Sequence, residues 1–132
     1  MQLRLNDNYR KTIFLLSVKV HKLPETFTII TAYNPMDVLL LEEENLERNK
    51  NLFRTLSSVA KDIIPIIGSS PDHLHQEASY VVNIALTNAL KIGRSYKQRA
   101  IFWIKQDNLQ IVECETAEKL TMGKFSERII DQ

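Results

Sequence analysis

The sequence predicts an α+β fold: a small mixed or mainly antiparallel sheet with two main helices on one face. Three observations lead there. Short β-branched and apolar segments, separated by turn residues, recur along the chain. Two stretches carry helical periodicity over enough residues to form packed helices. The resulting order, ββ-α-ββ-α-ββ, favours helices laid against one side of a sheet, and a ferredoxin-like variant is compatible with it.

Residues 11–20, KTIFLLSVKV, read as the first strand, and TFTIITAY at 26–33 reads as the second. The loop between them contains Pro24, so the pair is expected as a hairpin, ended by Asn34-Pro35 because proline disfavours a ladder position. Residues 41–61 form the strongest helical segment, with Glu42, Glu43 and Glu44 at the positive end of its dipole. IIPII at 63–67 reads as a buried strand, placed at a sheet edge by Pro65. A turn-rich loop, GSSPDH, leads to a strand at 77–84 and a second helix at 86–97. AIFWI (100–104) and LQIVECE (109–115) are strands flanking the turn Lys105-Gln106-Asp107-Asn108. From Thr116 onward the pattern is a helical turn or two, expected as a loosely packed tail of residues 116–132.

With 132 residues, no internal repeat and no linker, residues 1–132 are expected to form a single domain. A chain of this size buries roughly two thirds of its unfolded surface, enough for a core without staples. Hydrophobic residues at 44% and charged residues at 25% match a globular protein rather than a disordered one. Seventeen basic against 16 acidic residues leave a net charge of +1, so no long-range field attracts polyphosphate. That argues against a dedicated nucleic-acid binder while leaving room for a local basic patch. The apolar run from Ile13 to Val18 is too short for a membrane span and has no small-residue cleavage site. A cytoplasmic protein without a membrane partner is therefore expected.

Chemistry-bearing motifs are sparse. Cys114 is a lone cysteine in a strand, and Glu113 and Glu115 beside it oppose thiolate formation. Gly68-Ser69-Ser70 lacks the spacing and the Lys-Ser/Thr of a phosphate loop, and no G-x-S-x-G elbow occurs. No cofactor is implied. His73 and His75 flank Leu74 and would point the same way in an extended stretch, so with Asp72 or Glu77 they form a candidate metal set. Trp103 sits in an apolar strand, where core packing explains it better than base stacking does.

The informative pattern lies on the first helix. Leu52, Phe53, Leu56, Val59 and Ala60 make one apolar stripe, which projects back at 100° per residue onto Asn45, Arg48 and Asn49. The opposite face, from Glu43 through Lys61, is wholly polar. Two amides and a guanidinium therefore aim at the sheet, where an unpaired charge costs several kcal/mol. Either the cluster receives a ligand, or it closes on itself, with Asn34 capping the turn and Arg48 paired with Glu77.

Thr31-Ala32-Tyr33-Asn34-Pro35, followed by Glu44-Asn45 and Arg48-Asn49 leading into Leu52 and Leu56, resembles a bacterial and phage family, the domain-of-unknown-function family 3293. Pro65 and Gly68, Glu77, and Asn88-Ala89-Leu90 through Gln98 and Ala100 extend the similarity across about residues 9 to 113. The resemblance implies no activity. It does imply that Asn34, Glu44, Asn45, Arg48, Asn49, Glu77 and Gln98 form one motif set. Two positions depart from the family pattern: His75 replaces an aromatic, and Lys97 replaces a glycine, which puts a left-handed helix end there in question.

The leading expectation is a non-catalytic binding or regulatory module. Its ligand-binding set would be Asn34, Asn45, Arg48, Asn49, Glu77 and Gln98, recognising a small anionic or polar ligand or a protein partner. The rival is a small hydrolase or nucleic-acid-processing enzyme using Glu44, Glu77 and His75 around Arg48. A third alternative is a purely structural or interaction protein of a phage or mobile element, marked by a large exposed apolar patch.

Overall fold

A computed structural model of the chain describes residues 7–16 and 23–131. The elements follow in the order α1 (Asp7–Arg10), β1 (Ile13–Leu16), β2 (Thr26–Ile30), α2 (Glu42–Ser57), β3 (Ile63–Ser69), β4 (Gln76–Val82), α3 (Leu86–Ser95), β5 (Ala100–Lys105), β6 (Asn108–Glu113), β7 (Lys119–Lys124) and β8 (Ile129–Asp131). Short 3-10 turns occupy Pro35–Asp37 and Phe125–Glu127. The described strands form one mixed sheet in the order β7-β6-β5-β2-β4-β3-β1-β8. All its neighbours are antiparallel except β1 and β8, which run parallel.

Strand alternation divides the apolar side chains between two cores. On one face Leu52 and Leu56 of α2 and Ala89 and Leu90 of α3 pack on Ile30, Val82, Ile101 and Val112. Both main helices lie on this face, as the sequence predicts. On the other face Phe27, Ile29, Val81, Ile104 and Leu109 meet Phe14 and Phe125. Four strand spacings separate β1 from β5, about 19 Å across a flat sheet, yet the rings of Phe14 and Phe102 have centroids 5.0 Å apart. The sheet therefore curls over its second core. Phe125 fills the hollow, 5.3 Å from Phe14 and 5.4 Å from Phe27.

Several expectations are corrected. β1 and β2 do not form a hairpin: β1 pairs with β3 and β8, and β2 lies between β4 and β5. The cause is burial, because β2 is covered on both faces and belongs at the centre of the sheet. Residues 17–20 of the expected first strand lie outside the described residues. β3 is interior rather than at an edge, and Pro65 falls outside the stretch, Ile67–Ser69, that pairs with β1 among the described residues. From Thr116 the expected helical turns are replaced by β7, a 3-10 turn and β8, with Phe125 buried as their anchor.

The azimuth of α2 also needs adjustment. Its buried residues are Asn45, Asn49, Leu52 and Leu56, whereas Phe53 and Val59 are exposed. The helix ends at Ser57, four residues short of expectation, where hydroxyls take up backbone carbonyls: Ser57 Oγ donates to Phe53 O and Ser58 Oγ to Thr55 O. Among the described residues no helix is long and apolar enough to cross a membrane.

Candidate functional site

β2 stops at Ile30, three residues before the predicted end, and the chain then leaves the sheet. Backbone N–H and C=O groups buried there still need partners, and side chains supply them. The N–H of Ala32 donates to Asn49 Oδ1 (2.9 Å), and its carbonyl accepts Arg48 Nε (2.6 Å). The N–H of Tyr33 donates to Thr31 Oγ1 (3.1 Å), and its carbonyl accepts Gln98 Nε2 (3.0 Å). The N–H of Asn34 donates to Asn45 Oδ1 (2.9 Å). α2 thus takes the place of a missing neighbouring strand, with Asn45, Arg48 and Asn49 acting as its ladder.

The other ends of these side chains are also bonded. Asn49 Nδ2 donates to Ala78 O on β4 (2.8 Å), and Asn45 Nδ2 donates to Asn34 Oδ1 (2.9 Å). Arg48 donates through Nη2 to Tyr96 O at the end of α3. No ion pair joins Arg48 to Glu77 among the described residues; the guanidinium is satisfied by carbonyls instead. Glu44, assigned to the enzymatic alternative, accepts the N–H of Leu41 at the start of α2 (3.3 Å). No buried side-chain nitrogen or oxygen among the described residues lacks a partner.

Asn34 sits in the left-handed region (φ 46°), followed by Met36 (φ 52°) and Asp37 (φ 63°). Asn and Asp enter this region readily, but Met36 does so at a cost of roughly 1–2 kcal/mol, so neighbouring bonds must hold the loop. Asn34 Nδ2 donates to Glu77 Oε2 (2.8 Å), its Oδ1 accepts the N–H of Leu40 (3.1 Å), and the N–H of Met36 donates to Lys97 O (2.8 Å). Lys97 itself is left-handed (φ 57°) although it is not glycine. The bonds Gln98 N to Gly93 O and Lys97 N to Arg94 O complete the paired closure of a left-handed helix end, which points Gln98 back at Tyr33.

The structure adds residues that the sequence did not single out for the site. Asp37 accepts the Tyr9 hydroxyl (2.8 Å) and pairs with Arg99 Nε (2.8 Å). Burial raises the pKa of Glu77, against the lowering effect of the Asn34 amide, and Asp37 adds to the rise. Burial and then Asp37 also push the Tyr9 phenol well above its ordinary range. Tyr9 comes from a distant segment of the chain, and only the folded chain brings it beside Asp37. Nothing in the spacing of these residues announces it.

His73 and His75 are not arranged as the candidate metal set would require. His73 is left-handed (φ 64°), so the stretch is not extended, and Asp72 is engaged by Ser70 Oγ (2.6 Å) and by the N–H of Leu74 (3.0 Å). Those two bonds hold its carboxyl below the usual range. Among the described residues no group of three His, Cys, Asp or Glu side chains is placed to hold a metal. Burial pushes the Cys114 thiol up to about 12, which leaves it without nucleophilic thiolate at neutral pH.

Two surface features border this clamp. An open cleft of about 660 Å³ beside Arg48 is lined also by Leu40, Leu41, Glu43, Glu44 and Glu47, so carboxylates outnumber the one cation. Next to it residues 36–41 present apolar side chains to water: Val38 is 59% exposed, Leu39 79% and Leu41 66%. Met36 and, on α2, Leu46 are exposed as well.

The family described as "Protein of unknown function (DUF3293)" matches residues 30–101, which run from the end of β2 into β5 and hold the whole clamp. No match was found among curated proteins or among solved structures.

Proposed function

We propose that this chain, which belongs to the DUF3293 family, is a non-catalytic binding module that takes a protein partner on its apolar loop, residues 36–41. The observation that carries this is the exposure of Val38, Leu39 and Leu41 on a backbone fixed from inside by Asn34 and Asn45. Apolar side chains clustered at the surface of a folded domain favour a partner that covers them. A rigid loop avoids most of the ordering cost that association otherwise incurs. Asn45, Asn49 and Gln98 then act as internal supports, since each is bonded within the chain. Glu43, Glu44 and Glu47 beside Arg48 disfavour a small anion, and they suit a partner whose apolar pocket is edged by Lys or Arg.

Burying a leucine is worth about 1.5–3 kcal/mol, so truncating Leu39 and Leu41 together removes most of the affinity of an ordinary transient complex. A photo-crosslinking residue placed at Leu39 in the source cell should give a discrete protein adduct, with the same residue at exposed Asp62 as control. Excess wild-type chain should compete the adduct away, and a Leu39→Ser/Leu41→Ser double variant should not. Equal labelling from both positions, or a covalent dimer of this chain alone, would overturn the proposal.

A further inference from the structure

A second groove lies on the helix-bearing face, beside the start of α3, over β5, β6 and β7. It encloses about 510 Å³, within the roughly 300–1,000 Å³ of small-molecule sites. Strand register sets its floor. Trp103 is opposite Gln110 and Lys105 opposite Asn108, while Gln110 is opposite Thr121 and Lys119 opposite Val112. Residues directly opposite in antiparallel strands project to the same side, which gathers an indole, two ammonium groups, two amides and a hydroxyl. Among the described residues no acidic side chain lines the groove, in contrast to the cleft beside Arg48.

These groups have spare capacity. Neither Lys105 nor Lys119 forms an ion pair among the described residues. Trp103 is half-buried against the helix-side core, and its indole N–H is neither buried without a partner nor bonded to a described residue, so it reaches solvent. Gln110 and Thr121 share a long bond of 3.4 Å, weak enough to yield to a ligand.

We propose that this groove binds a nucleotide unit, with the base against Trp103 and its edge read by Gln110 at the middle of the groove, and with the phosphate held by the lysine at one end, Lys105 beside Asn108 or Lys119 beside Val112. A simple anion would leave the indole unused, and an apolar ligand would leave two ammonium groups unanswered. Flat aromatic rings stack on tryptophan, and amides offer both the donor and the acceptor that base edges present. The near-neutral charge of the whole chain bears on long-range attraction, not on a local pair of lysines. The same chemistry arises in a free mononucleotide and in a single-stranded polynucleotide.

Trp103 is the sole tryptophan, so its fluorescence reports on the groove directly. Adenosine and uridine monophosphates, inorganic phosphate and a short single-stranded oligonucleotide should each be titrated into the whole chain. Saturable quenching by the mononucleotides, without quenching by phosphate, is expected. Of Lys105→Ala and Lys119→Ala, both at exposed positions, the one at the phosphate end should weaken mononucleotide binding about tenfold, while Leu39→Ser/Leu41→Ser leaves it unchanged. A much tighter, salt-sensitive oligonucleotide would assign the polymer as source, and equal affinities the free nucleotide. No saturable quenching at millimolar ligand, equal quenching by phosphate, or indifference to both lysine variants would overturn the proposal.

Discussion

Replacing Asn49 by alanine removes two hydrogen bonds from inside the clamp, and the cost follows from what each bond leaves behind. The N–H of Ala32 loses its acceptor in a position closed to water, because Ala32 is fully buried and Asn49 only 4% exposed. An orphaned buried donor costs about 1–3 kcal/mol. The carbonyl of Ala78 fares better, since Thr31 Oγ1 still donates to it at 2.7 Å, so only a net bond of about 1 kcal/mol is lost. The total, about 2–4 kcal/mol, is a large share of the roughly 5–15 kcal/mol that holds such domains together. For a chain of this length it lowers Tm by roughly 10 °C. Urea unfolding followed through Trp103 measures it, with exposed Lys50→Ala as a control expected within about 0.5 kcal/mol of wild type. A loss under about 1 kcal/mol in Asn49→Ala would mean that water or a rearranged loop replaces the amide, and the reading of α2 as a substitute ladder would fail.

The folded Glu77 carboxyl titrates above its unfolded value, so its contribution to stability is fully present below the unfolded pKa and lost as pH rises through the folded one. Glu77→Gln keeps an acceptor for Asn34 and should match wild type in acid but exceed it at neutral pH. Urea midpoints across that range decide, and a less stable variant at neutral pH contradicts the assignment; Asp72 and Asp107, whose pKa values are lowered, tilt both curves alike. Gly93→Ala in α3 would ordinarily gain about 1 kcal/mol of helix propensity, but a Cβ there lies 2.7 Å from Cys114 Sγ and 3.2 Å from Ile101 Cγ2. Overpacking of about 1–3 kcal/mol should win, which a lowered Tm would show. Lys97→Gly relieves a left-handed φ and should raise Tm by up to roughly 3 °C, a gain that calorimetry resolves.

What the sequence discloses is the part governed by short-range periodicity. The polar face of α2 fixes its azimuth closely enough to make Asn45, Arg48 and Asn49 legible as inward-facing, and the apolar, β-branched and aromatic runs of β4, β5 and β6 are legible as strands. Phe53 and Val59 lie outside the core because the buried stripe is narrow, set by Asn45, Asn49, Leu52 and Leu56. Pairing across long separations left no local trace. Nothing in KTIFLL says that its partners are β3 and β8, and nothing in LTMGK marks an edge strand. The bond between Tyr9 and Asp37, and the turn of Lys97 into a conformation that glycine favours, depend on neighbours that only the closed fold supplies.

The curl of the sheet has a kinetic corollary. Phe14 finds Phe102 and Phe125 only after nearly all of the described chain has been laid down, and the parallel β1–β8 seam joins segments from opposite ends of it. Such distant pairings slow folding, because the entropy of closing the loop is spent before any contact repays it. Nearby pairs such as β3 with β4 and β5 with β6 can form earlier, but a lone hairpin is only marginally stable until its neighbours arrive. Throughout that interval a nascent chain would show a bare phenylalanine and an open strand margin to its surroundings.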